Sequence, residues 1–305
     1  MMRRLFLFVA AVIRALPPLR GKVRLGQLFY SLANRAKQPF SIETTLYAER
    51  LRFRLNLTSA HERMAFLMNG YESDTVELLD ALYSGGTILD IGANIGLIAV
   101  PLSVRTANRA TSAPHIYAFE ALPSNAASLA ENVRLNALET RIRVLPRALG
   151  SERKQVHIQI EGDDPSRTGT ANILPESYDF QKIALEIERL DDIIASGDVP
   201  ADVSLIKLDT DGYDLEILRG ARTLLRERRP LCHVEMNLIC HGWHGTTLDD
   251  AIAFANELDY DVYVQTAYSS GVFRRYSPEL PFFDNMLMIP RENVDVLKRI
   301  PMAAS

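Results

Sequence analysis

The chain has 305 residues, with 34 Lys+Arg against 38 Asp+Glu, 47% hydrophobic residues and two cysteines. This length can bury a large core, and the composition excludes disorder, collagen and coiled coil as descriptions of the whole chain. No apolar run approaches the roughly 18–20 residues of a membrane-spanning helix. Cys232 and Cys240 form neither a CxxC pair nor a disulfide framework, which points to a reducing, cytoplasmic setting, and a net charge of −4 argues against a dedicated nucleic-acid binder.

The charge is uneven. Eight basic residues and no acid lie between Met1 and Ile42, so the chain from Glu43 onward carries −12 against the total of −4. Within that arm, the apolar stretch Leu5 to Ile13 is held between arginines. Arg14 interrupts it and no small-x-small cleavage site follows. Three readings stay open: a basic amphipathic segment on the anionic inner face of a membrane, a helical flap packed on the main domain, or a targeting peptide.

Leu46 to Leu57 alternates apolar and polar residues and reads as a strand or hairpin arm. Helices are predicted over His61–Met68, stopped by Asn69-Gly70, and over Ser73–Tyr83, stopped by Gly85-Gly86. Apolar runs then mark strands at Thr87–Ile91, His115–Phe119, Arg141–Leu145, Val203–Leu208 and Leu231–Val234. Helical stretches follow the first two (Ile95–Arg105, Ser124–Asn136) and the last two (Asp214–Glu227, Thr247–Leu258). This alternation predicts parallel βαβ units in a doubly wound α/β sheet. Gln155–Ile160 and Ile183–Leu190 frame a β-type insertion around the polar stretch Glu161–Asn172. Tyr260–Thr266 and Asn285–Ile289, joined without a helix, predict an antiparallel C-terminal hairpin.

The segment Asp90-Ile91-Gly92-Ala93-Asn94-Ile95-Gly96 takes a buried strand through two glycines into a helix, at the carboxyl edge where such sheets bind nucleotide-like ligands. Gly92 and Gly96 leave room for a close backbone approach. A pyrophosphate cradle would need glycine at Asn94 and Leu97 as well. Glu120 ends the next strand, placed to accept hydrogen bonds from ribose hydroxyls. A ligand with a ribose but no phosphate chain is implied, and S-adenosylmethionine fits: its amino group can meet Asp90 and its carboxylate the N–H groups at the helix start.

With these motifs the sequence resembles the FkbM-type family of S-adenosylmethionine-dependent methyltransferases. The resemblance rests on Asp90 to Gly96; Phe119-Glu120 followed by Leu129, Asn132 and Leu135-Asn136; Ala148-Leu149-Gly150; and Ile206 to Gly212 with Asp214. Gly70-Tyr71-Glu72 and a strand at Leu190-Asp191-Asp192 add to it, so that it runs from about Gly70 to Pro290. Ala121 replaces the family's usual proline, and Asp211 and Asp214 stand where glutamates are usual. The resemblance implies a class I methyltransferase (Rossmann-like) fold, with 81–290 as the cofactor-binding domain, while charge and pattern set off residues 1–42 as a basic arm, 43–80 as a lead-in and 291–305 as a tail. The resemblance also implies cofactor contacts from Asp90, Gly92, Ala93, Asn94, Gly96, Glu120, Ala148 and Asp209, and a small-molecule, sugar or polyketide hydroxyl as acceptor.

Asp209, at the end of the fourth strand, is the expected reaction centre, with His241 or His244 of a His-Gly-Trp-His-Gly loop as the alternative general base. His233 reads as a core histidine. Asp209, Glu235 and a loop histidine form an alternative metal-ligand set, but Lys207, on the same strand face as Asp209, favours chemistry without a metal. The Asp209-Thr210-Asp211 run fails as a calcium loop, because Tyr213 and Asp214 replace a ligand and the required glycine. The absence of an Asn/Asp-Pro-Pro-aromatic run favours oxygen as the methyl acceptor. Arg167, Thr168, Arg274, Arg275 and Tyr276 are expected to shape the acceptor pocket. The rival readings are a non-catalytic adapter with a membrane arm, and a nicotinamide oxidoreductase.

Overall fold

The computed structural model describes residues 2–16, 21–34, 40–160, 171–172, 181–266 and 272–300. Helices α1 (Met2–Ala15) and α2 (Lys22–Ala33) open it. α1 turns Phe6, Ala10 and Ile13 inward at helical spacing, and Phe6 meets Tyr30 and Phe40 edge-on at 5.5 and 5.9 Å. Gly26 lets α2 approach Leu67 so closely that a Cβ would lie 2.6 Å from its Cδ1. Arg14 donates to Thr44 Oγ1 (3.0 Å), the Thr45 carbonyl (2.6 Å) and Asn69 Oδ1 (2.7 Å) and lies over the Phe66 ring. Of the three readings of this arm, its described part takes the packed flap.

Strands β1 (Ser41–Leu46) and β2 (Leu51–Asn56) pair antiparallel, with Leu51, Phe53 and Leu55 buried and Arg52 and Arg54 exposed. Helix α3 (Ala60–Met68) is capped by Ser59, whose hydroxyl accepts from the Glu62 N–H, and it stops at Asn69 in the left-handed region. Helix α4 (Ser73–Leu82) leads into the main sheet.

That sheet begins β3 (Thr87–Ile91), α5 (Ala99–Thr106), β4 (Ile116–Phe119), α6 (Pro123–Leu135), β5 (Ile142–Leu145). A smaller sheet interrupts it: β6 (Ala148–Leu149), β7 (Lys154–Ile160), β8 (Ala171–Asn172) and β9 (Gln181–Glu188), in the order β6-β9-β7-β8. The chain continues α7 (Leu190–Ala195), β10 (Val203–Leu208), α8 (Asp214–Gly220), α9 (Arg222–Glu227), β11 (Leu231–Glu235), α10 (Leu238–Trp243) and α11 (Leu248–Glu257). Last come β12 (Tyr260–Gln265), β13 (Phe273–Arg275) and β14 (Asn285–Pro290).

The large sheet has the order β13-β12-β14-β11-β10-β3-β4-β5. Strands β3, β4, β5, β10 and β11 are parallel, and β14 runs antiparallel between β11 and β12. This is the expected doubly wound, Rossmann-like sheet with an antiparallel C-terminal addition. The order reverses between β3 and β10, which makes the cleft above their carboxyl ends the topological switch point. Both faces are covered, so the strands read as unbroken apolar runs. One apolar cluster joins Phe6, Leu55, Leu79, Ile88, Leu205 and Ile300. The flap, the lead-in and the 294–300 turn therefore share a core with the sheet.

Four elements differ from expectation. The helix after the glycine turn starts at Ala99, which puts Pro101 in its first turn, where a missing N–H costs nothing. The 214–227 stretch breaks in two at Ala221, whose φ of −108 and ψ of 15 leave the helix, just after Gly220, where a Cβ would lie 1.9 Å from the Gly150 carbonyl oxygen. Leu190-Asp191-Asp192 opens helix α7 rather than forming a strand, and Asp191 accepts from the Thr223 and Leu224 N–H groups of α9. The histidine loop is largely helix α10, capped by Asn237 accepting from the Ile239 and Cys240 N–H groups. Arg167 and Thr168 lie outside the described residues.

Candidate functional site

A cavity of about 200 Å³ opens at the switch point. Gly92, Ala93, Asn94, Glu120, Ala148 and Asp209 line it, with Ile98, Phe119, Leu149 and Leu185 as apolar walls. The turn after β3 is tied to β4 by the Gly92 and Ala93 N–H groups, which donate to the Phe119 carbonyl at 3.0 and 2.9 Å. Asn94 sits at φ 49, and its N–H donates to Glu120 Oε2 at 2.8 Å, while the Leu122 N–H donates to Oε1 at 2.9 Å. Burial pushes the Glu120 carboxyl up, and these two N–H bonds oppose that shift. They occupy about two of a carboxylate's four acceptor positions.

The two glycines are needed for backbone packing. A Cβ on Gly92 (φ +76) would lie 1.8 Å from the Asp209 carbonyl oxygen, and one on Gly96 (φ +88) would lie 2.5 Å from Leu129 Cδ1. The room expected for a ligand is filled by β10 and α6. Gly96 does not line the cavity, and neither does Asp90, which is fully buried beneath its floor.

Asp90 instead faces Lys207. The parallel register sets Lys207 beside Asp90 on one side and His233 on the other. Lys207 Nζ lies 3.3 Å from Asp90, 3.1 Å from Asp209 and 3.2 Å from the Gly92 carbonyl. Burial pulls the ammonium down, but Asp209, Asp90 and Glu72 outweigh it and hold it above its ordinary value. Against its own burial, Asp209 is held below the usual carboxylate range by Lys207 and by a hydrogen bond shared with Glu235. Asp209's charge and burial push Glu235 up, so it keeps its proton at neutral pH. Burial and Asp209 push Glu72 up to about 7.

The expected histidines stand apart from this group. His241 is fully buried, its Nδ1 2.8 Å from Thr246 Oγ1 and its Nε2 3.4 Å from Asp214 Oδ2. Asp214 itself accepts from the Thr210 N–H and hydroxyl and from the Gly212 N–H, closing the turn after β10. His244 packs edge-on against Tyr213 at 5.3 Å. Neither histidine lines the cavity. Among the described residues, no group of three or more His, Cys, Asp or Glu is arranged to hold a metal ion.

Tyr71 and Glu72 complete the cleft from the start of α4, and sequence reasoning assigned them no role. Tyr71 lines the cavity, and Glu72 holds a left-handed φ of 42. Asn94, Asp211 and Asp284, also around the cleft, share that conformation. Strain of this kind concentrates at working sites, but it leaves no mark on residue periodicity.

A family model, the methyltransferase FkbM domain, matches residues 90–262. The chain belongs to the FkbM methyltransferase family. The match holds every expected cofactor residue from Asp90 to Asp209, together with Glu235, while Tyr71, Glu72 and β14 lie outside it. Hexuronic acid methyltransferase AglP of Haloferax volcanii is 26% identical over 156 residues, 51% of this chain and 58% of that protein. The chain thus spans less than two thirds of that relative. Among solved structures, methyltransferase FkbM from Methylobacillus flagellatus KT is 17% identical with a TM-score of 0.42, covering 67% of this chain and 44% of that one. The O-methyltransferase TomG from Streptomyces achromogenes is 15% identical with a TM-score of 0.41, covering 76% and 86%.

Proposed function

We propose that this FkbM-family protein transfers a methyl group from S-adenosylmethionine to a hydroxyl oxygen of a small-molecule or glycan acceptor. The observation that carries this reading is the switch-point cavity, lined by Glu120 and by Asp209 and Glu235. Its residues fit the cofactor. Glu120 retains acceptor positions for ribose hydroxyls, and the apolar walls beside Ala148 and Leu149 suit a base. Bound there, S-adenosylmethionine supplies an electrophilic methyl group.

The protein's own task is then to position the acceptor and take its proton. As the hydroxyl oxygen forms its new bond to carbon, its O–H becomes far more acidic than a carboxylic acid. A carboxylate held below the usual range is therefore still basic enough to receive the proton. Asp209, 29% exposed and fixed by Lys207, is so placed, and the protonated Glu235 beside it gives its one O–H to Asp209 and keeps its other oxygen free to accept from the substrate. This assigns the base to Asp209 in place of His241 or His244.

Glu120→Ala is expected to weaken S-adenosylmethionine binding by about tenfold to a hundredfold, since it removes hydrogen bonds to a charged acceptor and frees the Asn94 turn. Titration calorimetry on protein shown to be folded by circular dichroism reads this directly. Unchanged affinity would sink the ribose assignment.

The flap carries a second part of the proposal, peripheral contact with an anionic membrane. Leu5, Phe8, Val12 and Leu16 of the α1 segment and Leu25, Leu28 and Leu32 of α2 are exposed at helical spacing, Phe8 by 68%. Arg4 and Arg24 are exposed beside them. An apolar stripe flanked by basic residues suits an interface of anionic lipid. Co-sedimentation with anionic vesicles is expected to fall with added salt and with Phe8→Glu. Equal sedimentation with neutral vesicles, or none with either, would remove this part.

A further inference from the structure

A second cavity of about 220 Å³ adjoins the first and shares Tyr71 and Glu235 with it. The sheet register explains its lining. His233 pairs with Leu287 and Glu235 with Asn285, and Val264 with Met286, which brings Gln265 level with Asn285. Because side chains two apart share a face, Asp209, Glu235, Asn285 and Gln265 form one polar row along the carboxyl edge, starting at the proposed methyl-transfer point. Asn285 Nδ2 donates to Gln265 Oε1 at 2.8 Å. That bond uses one amide donor and one acceptor position, leaving each amide further hydrogen-bonding capacity.

Beneath this row His233 is 3% exposed and lines the cavity, and its Nδ1 has no hydrogen-bond partner. A buried polar atom without a partner is costly, and one facing a cavity marks a place for a ligand's polar group. Phe273 and Phe283 supply apolar walls. The charge is one-sided. Asp74 and Asp284 line the cavity with Glu72, whose carboxyl is pushed up to about 7, and the protonated Glu235, and none of its described lining residues is Lys or Arg. Lys207 is held by Asp90, Asp209 and the Gly92 carbonyl, and Arg275 pairs with Asp261 at 2.7 Å.

Resting on the methyltransferase reading, we infer that this second cavity is the acceptor subsite and that it takes a polyhydroxylated ring without an acid group, a neutral or amino sugar, and rejects a uronate. Amides, carboxyls and the His233 nitrogen in a row match a ring of hydroxyls. Burial and the Lys207 charge hold His233 far below its ordinary value, at about 4, so the imidazole meets the ligand neutral. The groups facing it are Lys207 and Asp209. A carboxylate on the ring would stand near Asp74, Asp284 and the partly ionised Glu72 with no lining cation to pair it, a like-charge juxtaposition that costs several kcal/mol.

The test uses the full chain with and without S-adenosylhomocysteine, following the His233 imidazole by NMR after assignment with His233→Gln. Methyl glycosides of glucose, galactose and mannose, their 2-amino forms and their uronates are the probes. Neutral and amino glycosides are expected to shift the His233 signal, with the matched uronates binding about a hundredfold more weakly. Asp284→Asn, which the left-handed backbone tolerates, should narrow that gap. Uronates shifting the signal as readily as neutral sugars, or no sugar shifting it, would overturn the inference. Loss of S-adenosylhomocysteine binding with the sugar shifts intact would count against the cofactor reading alone.

Discussion

Lys207→Met is expected to destabilise the protein by about 3–5 kcal/mol at neutral pH, the typical cost of leaving buried charge without its partner. The ammonium is 3% exposed and stands between Asp90 and Asp209, so methionine keeps the volume and removes the neutralising charge that, among the described residues, is in contact with both. The pH dependence has a definite sign. Without Lys207, the folded-state pKa of Asp90 rises further above its unfolded value, so the folded protein binds more protons than the unfolded one. Its stability then falls as pH rises. The deficit should be largest near pH 8 and shrink towards pH 5, and Asp90→Asn in the Lys207→Met background should recover part of it. Urea denaturation across this range gives the answer. A loss under about 1 kcal/mol, independent of pH, would mean that the ion pairs contribute little.

Asp209→Asn is expected to lower turnover by roughly 10²-fold or more, the usual contribution of a positioned proton acceptor. Asparagine keeps the shape but cannot take the acceptor's proton. S-adenosylmethionine affinity should change by only a few fold, because the expected ribose contact, Glu120, is left untouched. His244→Ala should leave turnover nearly unchanged. Transfer of radiolabelled methyl to the acceptor, with binding measured separately, distinguishes these cases. Full activity in Asp209→Asn together with a collapse in His244→Ala would return the base to the histidine segment.

The central strands were legible because burial on both faces gives them unbroken apolar runs, and Glu120 because an acid at the end of such a run is conspicuous. Gly92 and Gly96 were found for an incomplete reason: their spacing reads equally as ligand clearance and as backbone packing, and only the fold brings Asp209 and Leu129 against them. His241 was misplaced because glycines on both sides suggest a loop, whereas Asn237 caps a short helix that turns the ring towards Asp214. Tyr71 and Glu72 stood out only as part of the family-like lead-in, without a role, because their place in the cleft comes from where α4 crosses the sheet. No local pattern encodes that crossing. The row from Asp209 to Gln265 likewise exists only through register between strands far apart in the chain.

The place of β14 also fixes an order of assembly. It leaves the ribosome after both β11 and β12, yet it lies between them. Until residues 285–290 emerge, β11 lacks its outer neighbour and β12 has no partner joining it to the parallel strands. Asn285 is missing from the cleft for the same interval. A nascent chain therefore has the strand that leads to Glu120 well before the one that carries Asn285, and the row from Asp209 to Gln265 is complete only once residues 285–290 pair between β11 and β12.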